Sequence, residues 1–278
     1  MSTCWDKQKQ EACKEISSRM ISLKPFEESK DGLNEMKEYV ISLFLERGFH
    51  IDLIENPDAE YRPVIVANLN LNRSKTVGFF GHYDVEKVDV DSWSTDPWEL
   101  TEKGGRWQGR GVADNIVPLV QRILLASQMS EHVNLVFVLQ GEEEIGSPFA
   151  MKSYPNLKLP KIDLWVEETG YFYKNGDHRI MSLNVNRRLK RVFLALEEMN
   201  RSENRATKVR IRSMNKAFGN QGCPCLVHLL KDIPYIALGP NDDHSKIHGI
   251  DESMNPNLLD ISARQLMKTM EVFSSGIA

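Results

Sequence analysis

Short apolar runs of strand length alternate with helix-length segments along this chain, and this alternation constrains the fold more than any other feature. The run 133–139 is apolar except for Asn134, as expected for a strand buried on both faces. Other strand-like runs lie at 62–69, 76–80, 162–166, 207–213 and 234–239, and helices are predicted at 6–23, 31–48, 116–129, 190–198 and 255–275. This order predicts an α/β fold with a mostly parallel central sheet flanked by helices.

Histidine and acidic residues are concentrated in five short segments that adjoin these runs. In chain order, the segments are 81–84, 109–114, 141–147, 167–170 and 248–252. Parallel strands bring their carboxyl ends to one edge of a sheet, where ligands bind in α/β proteins. Together the segments contain the histidines and carboxylates that a two-metal hydrolytic site needs, with a further carboxylate to activate water. We therefore expect a metal site at that edge.

Taken singly, each segment also has a simpler interpretation. The histidine and aspartate of 82–84 would face one side of extended backbone, so the aspartate can orient the imidazole, although such a pair also fits the surface. Asp114 precedes a helix and fits an N-cap. The glutamates of 142–144 fit a solvated turn, but after a buried strand they would repel one another without cations. His248 and Glu252 lie four positions apart, so they also fit a pair of side chains on the surface of a helix.

Composition bounds the class of protein. A chain of 278 residues can bury a large core, and its net charge of -4 argues against nucleic-acid binding, which needs a basic surface. No apolar run is long enough to span a membrane, and the amino-terminal residues lack the apolar segment of a signal peptide. We therefore expect a cytoplasmic protein. Cys4, Cys13, Cys223 and Cys225 show no CxxC spacing, and we expect them to be reduced thiols.

As an ordered set, the segments resemble the M20 family of metallopeptidases and deacylases. That family includes carboxypeptidases, carnosinase- and PepV-type dipeptidases, acetylornithine deacetylase and succinyl-diaminopimelate desuccinylase. The matching blocks are 81–85 with Trp93, 96–98, 104–105 and 109–111; 114–118; 143–147; 163–170; and 234–239 with His248 and Glu252. The resemblance covers about residues 30–275, and the order of the blocks makes it specific.

The resemblance implies a role for each polar residue of these blocks. The ligands of two divalent metal ions would be His82, Asp114, Glu144, Glu167 and His248. Asp114 would bridge the ions, with His82 and Glu167 on one of them and Glu144 and His248 on the other. The general base would be Glu143, and Asp84 would support His82.

Two features of this ligand set stay open. Glu168 is a rival for the role of Glu167, because the family's proline is missing and adjacent residues on a strand face opposite ways. Matching Thr169 and Gly170 to the family's Thr-Gly favours Glu167. A set of imidazole and carboxylate ligands without cysteine suits Zn²⁺, and Mn²⁺ and Co²⁺ are also compatible.

The chain departs from the family in the interval between the third acidic block and the last strands. Most M20 proteins carry a lid domain there, which supplies dimer contacts, an oxyanion donor and groups that hold the substrate carboxylate. Here a predicted hairpin over 171–187, a helix, a strand and a turn at 219–222 fill the interval. We expect residues 1–278 to form one catalytic domain, with the lid insertion deleted near 186–190. Weak candidates for the missing groups are Arg110, Arg187, Arg188, His228 and His244.

The resemblance implies a hydrolase that cleaves an amide bond of a dipeptide, small peptide or N-acyl amino acid. A site without a lid also suggests that Glu142 or Glu168 could bind a free α-amine. One alternative is a biosynthetic deacylase that acts on a larger or carrier-bound substrate, and another is a non-catalytic, metal-dependent binding protein. The presence of Glu143, which metal binding does not require, argues against the last. Neither a nucleic-acid nor a membrane partner is expected, and the oligomeric state is open.

Overall fold

The computed structural model describes residues 4–212 and 225–276. Its strands are β1 (His50–Ile54), β2 (Val64–Leu69), β3 (Thr76–His82), β4 (Thr101–Lys103), β5 (Arg106–Gln108), β6 (Asn134–Gln140), β7 (Leu164–Glu167), β8 (Tyr171–Phe172), β9 (His178–Leu183), β10 (Thr207–Ile211), β11 (Tyr235–Ala237), β12 (Asn241–Asp242) and β13 (Ser253–Met254). Ten strands form the main sheet in the order β1-β2-β6-β3-β7-β11-β9-β8-β12, with β10 beside β9. A small antiparallel sheet contains β13, β5 and β4.

The centre of the main sheet is parallel and its margins are mixed. Strands β6, β3, β7 and β11 all run in the same direction. Every residue of β3 and β6 is buried, which explains why the sequences of these two strands are mostly apolar. Antiparallel pairs join β1 to β2, β2 to β6, β11 to β9 and β8 to β9. The predicted parallel sheet is thus confirmed at its centre.

Helices cover both faces of this sheet. They are α1 (Lys7–Ser22), α2 (Lys30–Leu45), α3 (Val117–Met129), α4 (Pro148–Ser153), α5 (Arg187–Ser202), α6 (Leu226–Leu230) and α7 (Leu258–Ser274). The larger core packs apolar residues of α1, α2, α3, α5 and α7 against one face, which includes Phe79 and Phe137. The smaller core packs α4 and α6 against the other face, which includes Val138 and Trp165. This layering confirms the α/β class.

The interval in which the sequence analysis expects the missing lid contains strands and helices that join the main sheet and its cores. Its described parts are 169–212 and 225–247, which contain β8, β9, α5, β10, α6, β11 and β12. The apolar face of α5 joins the larger core through Leu189, Val192 and Leu196. Among the described residues, no separate lid domain is present. The predicted turn at 219–222, Cys223 and position 213 of the predicted strand lie outside the described residues.

No helix in the described ranges combines the length and the apolar character needed to cross a bilayer. The longest of them is α7, and it carries charged residues along its length.

A buried histidine lies at the start of β9. His178 is fully buried, and its ring stacks on Phe172 with 4.8 Å between centroids. The amide nitrogens of Asn200 and Gln265 lie 3.3 and 3.1 Å from His178 Nδ1. Burial, together with the nearby charge of Arg205, lowers the pKa of His178 to about 3. The folded chain therefore holds this imidazole neutral.

We predict that His178 makes the folded chain less stable in acid. An imidazole in the unfolded chain has a pKa of about 6.5, so below that pH the unfolded state binds a proton that the folded state does not. The free energy of unfolding should therefore fall as the pH falls from about 6.5 towards 3. Between about pH 7 and about pH 4.5, wild type should lose roughly 2 to 3 kcal/mol more than His178→Gln. Urea denaturation at both pH values tests this, and equal losses would contradict it.

Candidate metal centre

The parallel strands bring the sequence-predicted residues to one edge of the sheet. His82 is the last residue of β3 and lies opposite Gln140, the last residue of β6. Glu167 ends β7 and lies opposite Ala237 of β11. The glutamates of 142–144 follow β6 after a single glycine. The fold thus gathers segments that are far apart in the sequence at the carboxyl ends of four neighbouring strands.

Asp114 reaches this edge from the turn Val112–Ile116, which precedes α3. The turn follows Gly111, whose φ of +80° favours glycine and whose added Cβ would lie 2.5 Å from Val85 Cγ1. Asp114 Oδ1 lies 3.0 Å from His82 Nε2, and Asp114 Oδ2 lies 3.2 Å from His248 Nε2. Each oxygen of one carboxylate therefore faces a different histidine.

Further carboxylates surround both histidines. Glu144 Oε2 lies 2.9 Å from His248 Nε2. Ligand atoms of His82, Glu143 and Glu144 lie within 4.8 Å of one another. The same limit holds for Glu86, Glu144 and His248. The sequence analysis did not single out Glu86, which lies two positions after Asp84.

Asp84 holds two parts of the cluster together. Its main-chain oxygen lies 3.0 Å and its Oδ1 3.4 Å from His82 Nδ1. Its carboxylate also accepts hydrogen bonds from the main-chain N–H groups of Glu143 and Glu144, at 3.2 and 3.0 Å. One buried aspartate thus orients the imidazole and fixes the turn that carries the two glutamates.

The structure separates Glu167 from Glu168. Ligand atoms of Glu168 lie within 4.8 Å of those of His82 and Asp114. The carboxylate of Glu167 instead accepts hydrogen bonds from the hydroxyls of Thr169 and Tyr235. The preference for Glu167, which rested on a motif match, therefore has no support in the geometry. The two neighbours face opposite ways, and Glu168 is the one that faces the histidine cluster.

Glu168 has a second partner that the sequence analysis did not single out. Arg122 of α3 is buried and donates from Nη1 to Glu168 Oε2 at 3.0 Å and from Nη2 to the main-chain oxygen of Leu238. Arg122 thus holds one carboxylate oxygen of Glu168, whose carboxylate also lies beside His82 and Asp114. The available signal was the one charged residue in a mostly apolar helix segment.

The carboxylate of Glu252 holds the turn that carries Asp114. The interpretation of His248 and Glu252 as a helical surface pair is wrong, because Glu252 is fully buried. Its carboxylate accepts a hydrogen bond from Arg110 Nη1 at 2.7 Å. It also accepts from the main-chain N–H groups of Gly111, Ala113 and Asp114, at 3.0, 2.8 and 3.1 Å. Glu252 is therefore not a cluster residue but a residue that fixes the turn.

Several other candidates prove to be engaged elsewhere. Glu142 is buried, and its carboxylate accepts from Asn56 Nδ2 and from the main-chain N–H of Phe149. Arg110 pairs with Glu252, and Arg188 donates to main-chain oxygens near the end of α7. Arg187 and His244 are exposed, and His228 is half-buried on α6. Of these candidates, Glu142, Arg110 and Arg188 are thus bound by groups outside the histidine–carboxylate cluster.

The electrostatics of the cluster favour positive charge. Burial alone would lower the pKa of His82, but its hydrogen bond to Asp114 raises that pKa well above its usual value. Hydrogen bonds to Asp114 and Glu144 raise the pKa of His248 to about 10. Burial raises the pKa of Glu144 to about 7 and also raises that of Glu143. Protonated imidazoles and divalent cations can each supply the positive charge that stabilises such a group of ionised carboxylates.

Fold and site define an α/β protein with a histidine–carboxylate centre at the carboxyl edge of a parallel sheet, and comparisons identify its family. The profile of Peptidase family M20/M25/M40 matches residues 78–272. The chain belongs to this family.

Cys4 and Cys13 are free thiols in the structure. The sequence analysis expected reduced thiols, because the sequence has no CxxC motif of the kind that binds zinc.

Curated relatives match over part of their length. Human Beta-Ala-His dipeptidase is 42% identical over 130 residues, which is 44% of this chain and 24% of that protein. The probable di- and tripeptidase DUG2 of Saccharomyces cerevisiae is 36% identical over 148 residues, 46% of this chain and 17% of that protein. The chain thus spans about a quarter or less of the length of these relatives.

Solved structures share the fold. The M20 family metallo-carboxypeptidase Sso-CP2 from Sulfolobus solfataricus gives a TM-score of 0.73 at 14% identity, covering 97% of this chain and 100% of that one. Human carnosine dipeptidase 1 gives a TM-score of 0.71 at 13% identity, covering 95% and 97%. At such low identity the likeness establishes the fold.

We predict that removing the Glu252 carboxylate destabilises the protein strongly. In Glu252→Ala, Arg110 would remain buried without its partner, so the free energy of unfolding should fall by about 3 to 5 kcal/mol. The matched control Glu271→Ala removes one member of an exposed pair with Lys268 and should cost less than about 1 kcal/mol. Urea denaturation measures both, and a similar small loss in the two variants would contradict the positioning role.

Proposed function

We propose that this chain is a two-metal amide hydrolase of the dipeptidase type. The observation that carries the proposal is the placement of Asp114, whose two oxygens face two different histidines. That arrangement suits a carboxylate shared by two cations. Membership of a peptidase family and the dipeptidase names of the curated relatives support the same conclusion.

The residues at the sheet edge fit a pair of divalent ions. His82, Asp114 and Glu168 would hold one ion, and Asp114, Glu144 and His248 would hold the other. Imidazole nitrogens and carboxylate oxygens suit Zn²⁺, with Mn²⁺ and Co²⁺ as compatible ions. Such ions lower the pKa of water and polarise a carbonyl group. Asp84, beside His82 Nδ1, supplies the partner that metal-binding histidines ordinarily have.

Glu143 is suited to move the proton. Its carboxylate lies beside His82 within the cluster, and burial raises its pKa above the usual value. It takes a proton from the attacking water, whose oxygen forms a bond to the amide carbonyl carbon. It then delivers that proton to the leaving nitrogen as the C–N bond breaks. One water is consumed, and a carboxylic acid and an amine are released.

The substrates that we propose are dipeptides and N-acyl amino acids. Without a lid among the described residues, the histidine–carboxylate edge is bordered by loops of the catalytic domain itself. His248 remains about half exposed, which leaves the cluster open to a small peptide. We also propose that the chain works as one catalytic domain.

We predict that Glu168, and not Glu167, is needed to hold a metal ion. Glu168→Gln should weaken binding of one of two Zn²⁺ ions more than about 100-fold, because a ligand is lost. Glu167→Gln is the matched control, one residue away, and should weaken neither ion by more than about 10-fold. Competition with a chromophoric chelator measures both. The reverse ranking would restore Glu167 as the ligand.

We predict that Glu143→Gln abolishes hydrolysis without loss of metal. Removing the general base should lower kcat roughly 10²- to 10⁴-fold, while the metal content stays at the wild-type level. Glu142→Gln, the same change one position earlier, should keep kcat within about a few-fold, because that carboxylate is bound by Asn56. Release of amino acids from a pool of dipeptides and N-acyl amino acids, read by mass spectrometry, measures the rates. Full activity in Glu143→Gln would rule out the role.

A further inference from the structure

His248 lies in a loop that joins the two sheets of the structure. The loop covers residues 243–252, between Asp242 of β12 in the main sheet and Ser253 of β13 in the small sheet. Three of its residues other than glycine, among them His248, have φ angles between +52° and +59°. Such residues rarely adopt this left-handed conformation, which persists only where surrounding contacts hold it. The position of His248 therefore depends on the contacts that fix this loop.

Arg106 binds both ends of the loop with one guanidinium. Nη1 and Nη2 donate to the two carboxylate oxygens of Asp242, at 2.8 and 2.9 Å. Nε donates to the hydroxyl of Ser253 at 2.9 Å, and Nη2 also donates to the main-chain oxygen of Ser253 at 3.1 Å. The planar fork of an arginine suits this two-point contact with a carboxylate. One side chain of the small sheet thus links the two ends of the loop.

The two ends are also joined to each other beside this contact. The buried hydroxyl of Ser245 accepts from the main-chain N–H of Asp242 at 3.0 Å, and the main-chain oxygen of Ser245 accepts from the N–H of Ser253 at 2.9 Å. The carboxylate of Asp242 accepts from the main-chain N–H of His244 at 2.9 Å. The side chains of Arg106 and Asp242 are only 22% and 10% exposed, so water screens their attraction less than it screens a surface pair.

Arg106 is the first of three alternate residues that contact the loop. Gln108, at the end of β5, donates from Nε2 to Asp251 Oδ1 at 2.7 Å. Arg110, two positions further on, donates to Glu252. Alternate residues of extended backbone point the same way, which explains this spacing. Glu252 also holds the turn before α3, whereas the hydrogen bonds of Arg106 go to the two ends of the loop. A substitution of Arg106 therefore tests the loop without disturbing that turn.

We propose that Arg106 is a positioning residue for His248. By binding both ends of the loop, it holds the imidazole beside Asp114 and Glu144, where these three side chains would bind one of the two ions. His248 Nε2 lies 3.2 Å from Asp114 Oδ2 and 2.9 Å from Glu144 Oε2, but the side chain is about half exposed, so packing around the ring holds it weakly. The inference rests on the proposed two-metal function and gives the small sheet a part in it.

The test measures the affinities of both Zn²⁺ ions in Arg106→Met by competition with a chromophoric chelator. One ion should bind roughly 10- to 100-fold more weakly, and the other should stay within about three-fold of wild type. Adding Arg106→Met to His248→Ala should change the affinity of the remaining ion by less than about three-fold, because Arg106 acts through His248. Arg106→Lys should fall between, because an ammonium keeps the charge but not the planar set of donors.

Arg264→Met is the matched control. Arg264 lies on α7, is 33% exposed and binds the carboxylates of Asp260 and Glu203, so the variant also removes a partly buried arginine from acidic partners. It should leave the affinities of both ions unchanged. Unchanged affinities in Arg106→Met, equal weakening of both ions, or a further loss of the remaining ion in the double variant would overturn the positioning role.

A measurement on the metal-free protein keeps this inference distinct from the proposed function. If wild type binds fewer than two Zn²⁺ ions, the proposed function fails. Hydrogen–deuterium exchange of residues 243–252, read by mass spectrometry without metal, then decides the role of Arg106. Exchange about ten-fold faster in this segment alone in Arg106→Met supports it. Unchanged exchange there, or faster exchange throughout the chain, refutes it.

Discussion

The structure depends on holding several carboxylates together at one edge of a sheet. Asp114, Glu143, Glu144 and Glu168 all converge there; Glu168 is buried and the other three are partly buried. Like charges in such a place repel unless positive charge offsets them. The chain supplies two histidines and the guanidinium of Arg122 for this purpose. The remaining negative charge favours the pair of divalent ions that we propose for this site.

Two layers of support keep this arrangement in place. Asp84 ties the imidazole of His82 to the turn that carries Glu143 and Glu144. The carboxylate of Glu252 accepts hydrogen bonds from three main-chain N–H groups of the turn that carries Asp114 and from the buried Arg110. Because both supports are carboxylates bound by several donors, they fix geometry rather than add to the cluster. A small peptide would therefore meet groups that are already positioned, as efficient catalysis requires.

The sequence predicted the central strands and most of the cluster, because buried apolar runs and their polar ends are local patterns. It missed β1, whose residues are half exposed and show no buried face. A motif match does not settle the choice between Glu167 and Glu168 for a physical reason: adjacent residues on a strand point to opposite faces, so a shift of one residue reverses the side chain. The pairing of Arg110 with Glu252 joins positions 142 residues apart, which one sequence does not reveal.

The central claim is that Asp114 joins two metal ions in one hydrolytic centre. Native mass spectrometry of the protein loaded with Zn²⁺, beside the variant Asp114→Asn, tests it most directly. The account predicts two ions for each wild-type chain and weakened binding of both in the variant, because the shared carboxylate serves each ion. A single ion in wild type, or the loss of only one of two ions in Asp114→Asn, would contradict it.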